Sequence, residues 1–176
     1  MPNIRIDVFN KATIDAAIKA VEDYSTKVQA AAEKIAKGLA DLGYQVAVGI
    51  LGGHVWSGET LGSLTVEQVG EGQYVLYAQS AAILFFEFGA GVREGYGHPM
   101  AEDLGMGPGT YPGKGNWDNP KGWWFITDDP RLAVHTTKDG VMYAHSYGNK
   151  PHMPFYQADQ AMRQDIVRIA KEALAK

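Results

Sequence analysis

The sequence predicts an α+β fold in which a long N-terminal helix packs on an antiparallel sheet, followed by a long loop excursion and a C-terminal helix. Apolar residues recur at steps of three and four near both ends of the chain, which is the helical period. Strand-like segments joined by short turns lie between these two regions. Between residues 89 and 122, 14 of 34 residues are glycine or proline, a composition typical of a long loop.

Composition sets broad limits on the class of protein. The 176 residues fit one domain, residues 1–176, with residues 89–122 as a loop insertion. The net charge of −4 does not favour a surface that grips nucleic acid or an anionic membrane. The absence of cysteine excludes disulfides, thiolate metal sites and a cysteine nucleophile. No apolar run reaches the roughly 18 to 20 residues that span a bilayer, so we expect a soluble protein that is not secreted.

The first elements are a short strand and a long helix. Alternation over Asn3–Phe9 predicts the strand, and Asn10 can cap the helix that follows. Gly43 is placed to end that helix. Its narrow apolar seam leaves two interpretations open, because the helix can lie across its own sheet alone or also pack against a neighbouring subunit. The seam consists of Ile14, Ile18, Val21, Val28, Ala32, Ile35, Leu39 and Leu42, with Ser25 as its one polar member.

The middle of the chain reads as strands. We predict strands over Tyr44–Leu51, Thr60–Val69 and Gln73–Ser80, and Gly70-Glu71-Gly72 predicts a hairpin turn between the last two. Ala81–Phe88 is apolar apart from one carboxylate and fits either a short helix or a strand.

Beyond the loop excursion, the sequence predicts more strands and a final helix. Trp123–Thr127 is a predicted strand, and Leu132–Tyr147 is predicted to fold back at Asp139-Gly140, which would pair Val134 with His145. A helix is expected to begin at Pro154. Its predicted apolar face consists of Phe155, Ala158, Met162, Ile166, Ile169 and Ala173.

Searches for catalytic and metal-binding motifs find none. The sequence contains no P-loop, no HExxH and no G-x-S-x-G, and Ser57 lacks the strand-turn-helix context of a nucleophile elbow. The predicted hairpin register places His135 and His145 on opposite faces. His54, His98 and His152 lie in loop-like sequence and are interpreted as polar surface. We therefore predict no catalytic residue, no metal and no cofactor.

Glu87 is unusual because it stands among large apolar side chains, in Ile83-Leu84-Phe85-Phe86-Glu87-Phe88. A buried carboxyl can serve as a general acid. The other interpretation is structural, with Glu87 bonded to the loop backbone at Gly89–Gly91 or paired with an arginine or lysine. We favour the structural role, because the sequence ties no second carboxylate and no nucleophile to this position.

The loop excursion and the strand after it are rich in aromatic residues. Trp117, Trp123 and Trp124 lie there with Tyr96 and Tyr111. This composition suits a sugar-binding surface, and it also suits a loop that packs onto a protein partner through aromatic anchors. We favour the protein partner.

Three spaced segments together resemble one family. Ser57–Leu64 resembles the Thr-Gly-x-Leu-Arg-x-Ser-Ile stretch of the head-tail joining, or tail-completion, proteins of long-tailed bacteriophages, which are often labelled minor tail components. Glu87–Gly91 is similar to the Glu-Phe-Gly-Thr segment of that family, and Lys150–Ala158 resembles its Pro-Phe-x-x-Ala segment at the last helix. Thr60 and Leu61 differ from the family pattern, which has leucine and arginine there.

The resemblance, which covers roughly residues 10 to 174, implies a non-enzymatic virion protein of the neck or tail that is assembled in the host cytoplasm. It implies a ring of six subunits around the DNA path, between a head connector or stopper and a tail terminator or tube. DNA would pass through without sequence-specific binding, and no membrane is involved. Candidate partner-interface residues are Ser57, Gly58, Ser63, Leu64, Trp117, Trp123 and Trp124, and the structural motif residues are Glu87, Phe88, Gly89, Pro154, Phe155 and Ala158.

Two other classes of function remain open. A carbohydrate-binding module or a glycoside-acting enzyme would use Glu87 and the tryptophan-rich loop. The enzyme would need a second carboxylate roughly 5 to 9.5 Å from Glu87. A toxin-like or antitoxin-like interaction protein is the third interpretation.

Overall fold

The computed structural model describes residue 7 and residues 9–53, 59–80, 82–91, 93–107 and 120–175. It has the predicted α+β architecture, with a long N-terminal helix, two antiparallel sheets and a C-terminal helix. Among the described residues, no helix is both long and apolar enough to span a bilayer. The elements are α1 (Lys11–Gly52), α2 (Glu59–Gly62), β1 (Leu64–Gly70), β2 (Gln73–Ala78), α3 (Ile83–Phe88), β3 (Trp123–Thr127), β4 (His135–Thr136), β5 (Met142–Ser146) and α4 (Pro154–Leu174).

The long helix α1 begins as predicted and ends later than predicted. The Asn10 side chain accepts a hydrogen bond from the Ala12 backbone N–H at 3.0 Å, which confirms the predicted cap. The helix then runs through Gly43 to Gly52, so the predicted end at Gly43 and the predicted strand Tyr44–Leu51 are both wrong. Gly43 instead lets α4 pack closely on α1, because a Cβ there would lie 3.0 Å from Sδ of Met162 in α4.

Small residues let α1 and α4 pack closely side by side. Gly43 faces Met162 and Gly38 faces Ile169, so the two helices run antiparallel. The predicted start of α4 at Pro154 is confirmed, and Ala158 and Ile169 are buried as expected. Ile166 is exposed, contrary to the predicted apolar face. It lies about 60° around the helix from Ile169, at the margin of the stripe that one neighbouring helix can cover.

The hairpin β1–β2 forms as predicted, with Leu64 opposite Ala78 and Gly70 opposite Gln73. The strand predicted over Thr60–Val69 starts too early, since residues 59–62 form the helical turn α2. Ser63 stabilises that turn, because its hydroxyl donates to the Thr60 carbonyl at 2.8 Å.

One carboxylate ties α1 to this hairpin. Glu33 accepts hydrogen bonds from the hydroxyl of Tyr74, from the Gly72 backbone N–H at 2.6 Å and from Nε2 of Gln68 at 3.0 Å. The bond from Tyr74, followed by that from Gly72, holds the pKa of Glu33 below its ordinary value of 4.5. No local pattern in the sequence marks Glu33, because its partners are 35 to 41 residues away.

We expect Glu33→Gln to make the protein less stable near neutral pH and to flatten its sensitivity to acid. Because the pKa of Glu33 is lowered in the folded state, Glu33 contributes fully to stability above pH 4.5. That contribution is lost as the pH falls through the folded-state pKa. The difference in unfolding free energy between wild type and variant should therefore shrink as the pH drops below 4.5 and through the folded-state pKa of Glu33. Urea denaturation across a pH series measures it, with Glu22→Gln on exposed α1 surface as the control. A difference that does not vary with pH would contradict this account.

The second sheet has the strand order β3-β5-β4 and is antiparallel throughout. The predicted strand Trp123–Thr127 is confirmed at both ends. The predicted pairing of Val134 with His145 is wrong, since the Val134 N–H donates to the Tyr143 carbonyl and His135 lies opposite Tyr143. A three-residue loop with Gly140 at φ 82° replaces the expected two-residue turn, which shifts the register by one. His135 and His145 therefore lie on the same face of the sheet, and their predicted placement on opposite faces is wrong.

The core consists of two small clusters. The first contains Ala47, Leu51, Leu64 and Ile83, where α1 meets the hairpin and α3. The second contains Phe88 and Ala90, with Trp123 of β3 packed against them. The predicted strand Asn3–Phe9 lies outside the described residues except for Asp7 and Phe9, neither of which is in a strand.

Candidate functional site

Two segments that are far apart in the sequence meet in one place, which we call the junction (residues 85–91 and 147–156). The backbones of Ala90 and Asn149 exchange two hydrogen bonds, of 2.8 and 3.0 Å. The Asn149 side chain donates to the Phe85 carbonyl at 2.7 Å, and the His152 N–H donates to the Phe86 carbonyl at 2.7 Å. Glu87 also accepts a hydrogen bond from the Phe155 N–H, so two of the three segments that carried the family resemblance contact each other directly.

Glycines allow the two backbones of the junction to approach this closely. Gly148 has φ 109°, and a Cβ on it would lie 1.8 Å from the Ala90 carbonyl oxygen. Gly89 has φ 78°, and its Cβ would lie 2.8 Å from the Asn149 carbonyl oxygen. No other residue type fits either position without displacing the backbone opposite.

Glu87 is buried at the centre of the junction, where it caps α4. Its side chain accepts from the Phe155 N–H at 2.8 Å and from the Tyr156 N–H at 2.9 Å, both in the first turn of that helix. Met153, the residue at the N-cap position, has φ 59° and makes no side-chain cap bond. Glu87 thus supplies from α3 the acceptor that the local sequence lacks, and its negative charge suits a helix N-terminus.

His98 completes the junction from the loop excursion. Its Nε2 lies 3.0 Å from Oε1 of Glu87, and its Nδ1 accepts from the Met100 backbone N–H at 3.1 Å. Because Nδ1 is an acceptor, the ring proton is on Nε2 and is donated to Glu87. The Phe88 and Tyr156 rings lie against the imidazole, with centroids 4.5 and 5.5 Å away. The loop excursion is therefore anchored to the N-terminal turn of α4.

An apolar cavity of about 270 Å³ borders Glu87 and His98, with Leu84, Met100 and Leu104 among its lining residues. Glu87 is the only carboxylate that lines it among the described residues. Three donors already occupy the oxygens of Glu87, and both ring nitrogens of His98 are engaged. The arrangement is that of a structural anchor, since these bonds join α3, the loop excursion and the first turn of α4. In the described part of the chain, no three histidine, aspartate or glutamate side chains are grouped to hold a metal ion.

The structure changes several assignments made from the sequence. The partners predicted for Glu87, the Gly89–Gly91 backbone or an arginine or lysine, are wrong, because the carboxylate instead bonds to the α4 backbone and to His98. His98 is buried in the junction and is not polar surface. Its sequence context offered no signal, since the bond to Glu87 spans eleven residues of irregular chain.

The candidate interface residues are divided between the core and the surface. Leu64 is buried in the first core cluster and is not free to contact a partner. Trp123 packs inward onto the second cluster, whereas Trp124 is 55% exposed, because successive residues of a strand point to opposite faces. Ser57, Gly58 and Trp117 lie outside the described residues. Among the structural motif residues, Phe88, Gly89, Pro154 and Ala158 are buried, and Phe155 is partly buried.

An aromatic row crosses the exposed face of the second sheet. The rings of Trp124 and His145 are 4.7 Å apart, and so are those of His145 and Tyr147. The Arg93 guanidinium lies 4.3 Å from the Tyr147 ring centroid, a cation–π geometry.

Comparisons of the chain with protein-family models, curated proteins and solved structures find no match.

Proposed function

We propose that this chain is a structural protein of the bacteriophage head-tail junction, which acts by assembling into a ring around the DNA path. The observation that carries the proposal is the balance of apolar side chains. The described residues leave 22 large hydrophobic side chains exposed and bury 12 hydrophobic residues, of which seven are alanine. A core this small beside so much exposed apolar surface is typical of a subunit that completes its burial in an assembly.

The junction gives the family resemblance a physical meaning. The segments Glu87–Gly91 and Lys150–Ala158 resemble the family motifs, and in this fold they hold the loop, α3 and α4 together. Motifs that hold the elements of a fold together in this way are expected in a protein that acts as a rigid scaffold for docking surfaces. The net charge of −4 is suited to DNA that passes without being held.

Deleting the gene from the phage genome that encodes it and imaging the lysate tests this proposal. We expect filled heads and complete tails that are not joined, because packaging and tail assembly use other proteins. A plasmid copy of the wild-type gene should restore joined particles. Joined, infectious virions in the uncomplemented deletion strain would refute the proposal.

The aromatic row favours a carbohydrate-binding module as the second candidate function. Exposed tryptophan and tyrosine rings can stack on sugar rings, and Trp124 and Tyr147 are both exposed. Binding of wild-type protein to bacterial cell-wall polysaccharide, lost in Trp124→Ala, would support this candidate. Unchanged retention of Trp124→Ala on that polysaccharide would count against it.

A further inference from the structure

The hydrogen bond between His98 and Met100 exists in only one protonation state of the histidine ring. Nδ1 of His98 accepts from the Met100 backbone N–H at 3.1 Å, and Nε2 lies 3.0 Å from Oε1 of Glu87. The side chains of His98 and Glu87 are 2% and 8% exposed, so protein groups rather than water must satisfy them. The neutral ring, with its proton on Nε2, satisfies both of its partners at once.

A second proton on His98 breaks the bond to Met100. Both nitrogens of an imidazolium carry hydrogen, so the Nδ1–H would face the Met100 N–H, donor against donor. Rotating the ring does not restore the bond, because the other nitrogen is a donor as well. Among the described residues, the Met100 N–H has no second acceptor. The turn from His98 to Met100 therefore has to move when the ring is protonated.

The bond from His98 to Glu87 responds in the opposite way. Protonation converts it from a bond between a neutral ring and a carboxylate into an ion pair, which is stronger. The N–H groups of Phe155 and Tyr156 also hold Glu87 in place. A proton on the carboxylate itself would meet N–H donors at both oxygens. The first added proton therefore goes to His98.

The titratable groups that face His98 are acidic or neutral. Glu87 faces the ring from α3, and Tyr156 packs against it from α4. On the side of the loop excursion, His98 lines a second cavity together with Tyr96, Glu102 and Asp103. In the described part of the chain, no lysine or arginine lines either of the two cavities that border His98. These surroundings therefore contain no basic group that would oppose a positive charge on the ring.

We propose that residues 98–100 form a proton-sensitive turn, which opens when His98 is protonated while Glu87 keeps its bonds to α4. Met100 is 40% exposed, so the turn can move toward solvent without opening the core. Met100 and Leu104 line the apolar cavity of the junction, and the Leu104 N–H donates to the Met100 carbonyl at 3.0 Å. Acid would therefore loosen the wall of the cavity that the loop excursion supplies and leave the walls from α3 and α4 unchanged.

Nuclear magnetic resonance of the purified wild-type chain between about pH 8 and about pH 5, the range in which histidine ordinarily changes charge, tests this proposal. The chemical shifts of the His98 ring nitrogens report the protonation of the ring. Over the same titration, we expect the protection of the Met100 amide against hydrogen exchange to fall about five- to tenfold, after correction for the intrinsic effect of pH, because one hydrogen bond is lost. The amides of Phe155 and Tyr156 should keep their protection.

Two variants show whether His98 is the responsible group. His98→Gln removes the titratable ring and keeps a side-chain N–H for Glu87, so the Met100 amide should no longer respond to pH. His135→Gln makes the same change at an exposed histidine in β4, and its Met100 amide should respond as in wild type.

The remaining outcomes each overturn the proposal. Protonation of His98 with unchanged exchange at Met100 would show that the bond between them does not control the turn. Parallel loss of protection at Met100, Phe155 and Tyr156 would show that acid opens the whole junction. The proposal is also refuted if His98 stays neutral throughout the titration, or if His98→Gln retains the response of the Met100 amide.

Discussion

The Gly148→Ala variant is expected to lose about 4 to 5 kcal/mol of unfolding free energy or to fail to fold. The methyl group would lie 1.8 Å from the Ala90 carbonyl oxygen, well inside van der Waals contact. That oxygen accepts the hydrogen bond from the Asn149 N–H, so moving it breaks the pairing of the two segments. The clash is between a Cβ whose position the backbone fixes and a backbone oxygen, so no side-chain rotation can relieve it.

Gly97→Ala is the matched control for this prediction. Gly97 has φ 108° and Gly148 has φ 109°, but a Cβ on Gly97 meets nothing within 4 Å. Both substitutions place alanine in a left-handed conformation, which costs about 1 to 3 kcal/mol. Urea denaturation should therefore show a much larger loss for Gly148→Ala. Equal losses would mean that the close approach at the junction contributes nothing.

The Glu87→Gln variant is expected to lose about 2 to 4 kcal/mol of unfolding free energy. Glu87 accepts from three donors, the N–H groups of Phe155 and Tyr156 and Nε2–H of His98. Glutamine has one acceptor oxygen, and its amide group would point hydrogens at a buried donor. The substitution also removes the negative charge from the N-terminus of α4.

Glu71→Gln serves as the control for Glu87→Gln, because it makes the same chemical change at an exposed turn. It should alter stability by no more than about 0.5 kcal/mol. Amide hydrogen exchange supplies an independent readout, since Phe155 and Tyr156 should exchange faster in Glu87→Gln. Unchanged exchange at both amides would show that Glu87 does not cap α4 in solution.

Local patterns in the sequence determined where several elements begin and turn. Asn10 precedes a helical period, Gly70-Glu71-Gly72 separates two alternating segments, and Pro154 precedes another helical period. In each case the deciding interactions lie within a few residues, so the sequence shows them directly. The class of fold follows from the order of these elements.

Contacts between distant residues decided the rest. Gly43 carries the usual signal for a helix end, but the helix continues because α4 packs on the space that the missing side chain leaves. Glu87 finds its donors 68 and 69 residues away, and Glu33 finds Tyr74 41 residues away. A carboxylate in a sequence shows that acceptors are present but does not show which donors will reach them. The pairing is decided when helices and loops pack, because only then does burial leave each polar group with a single set of partners.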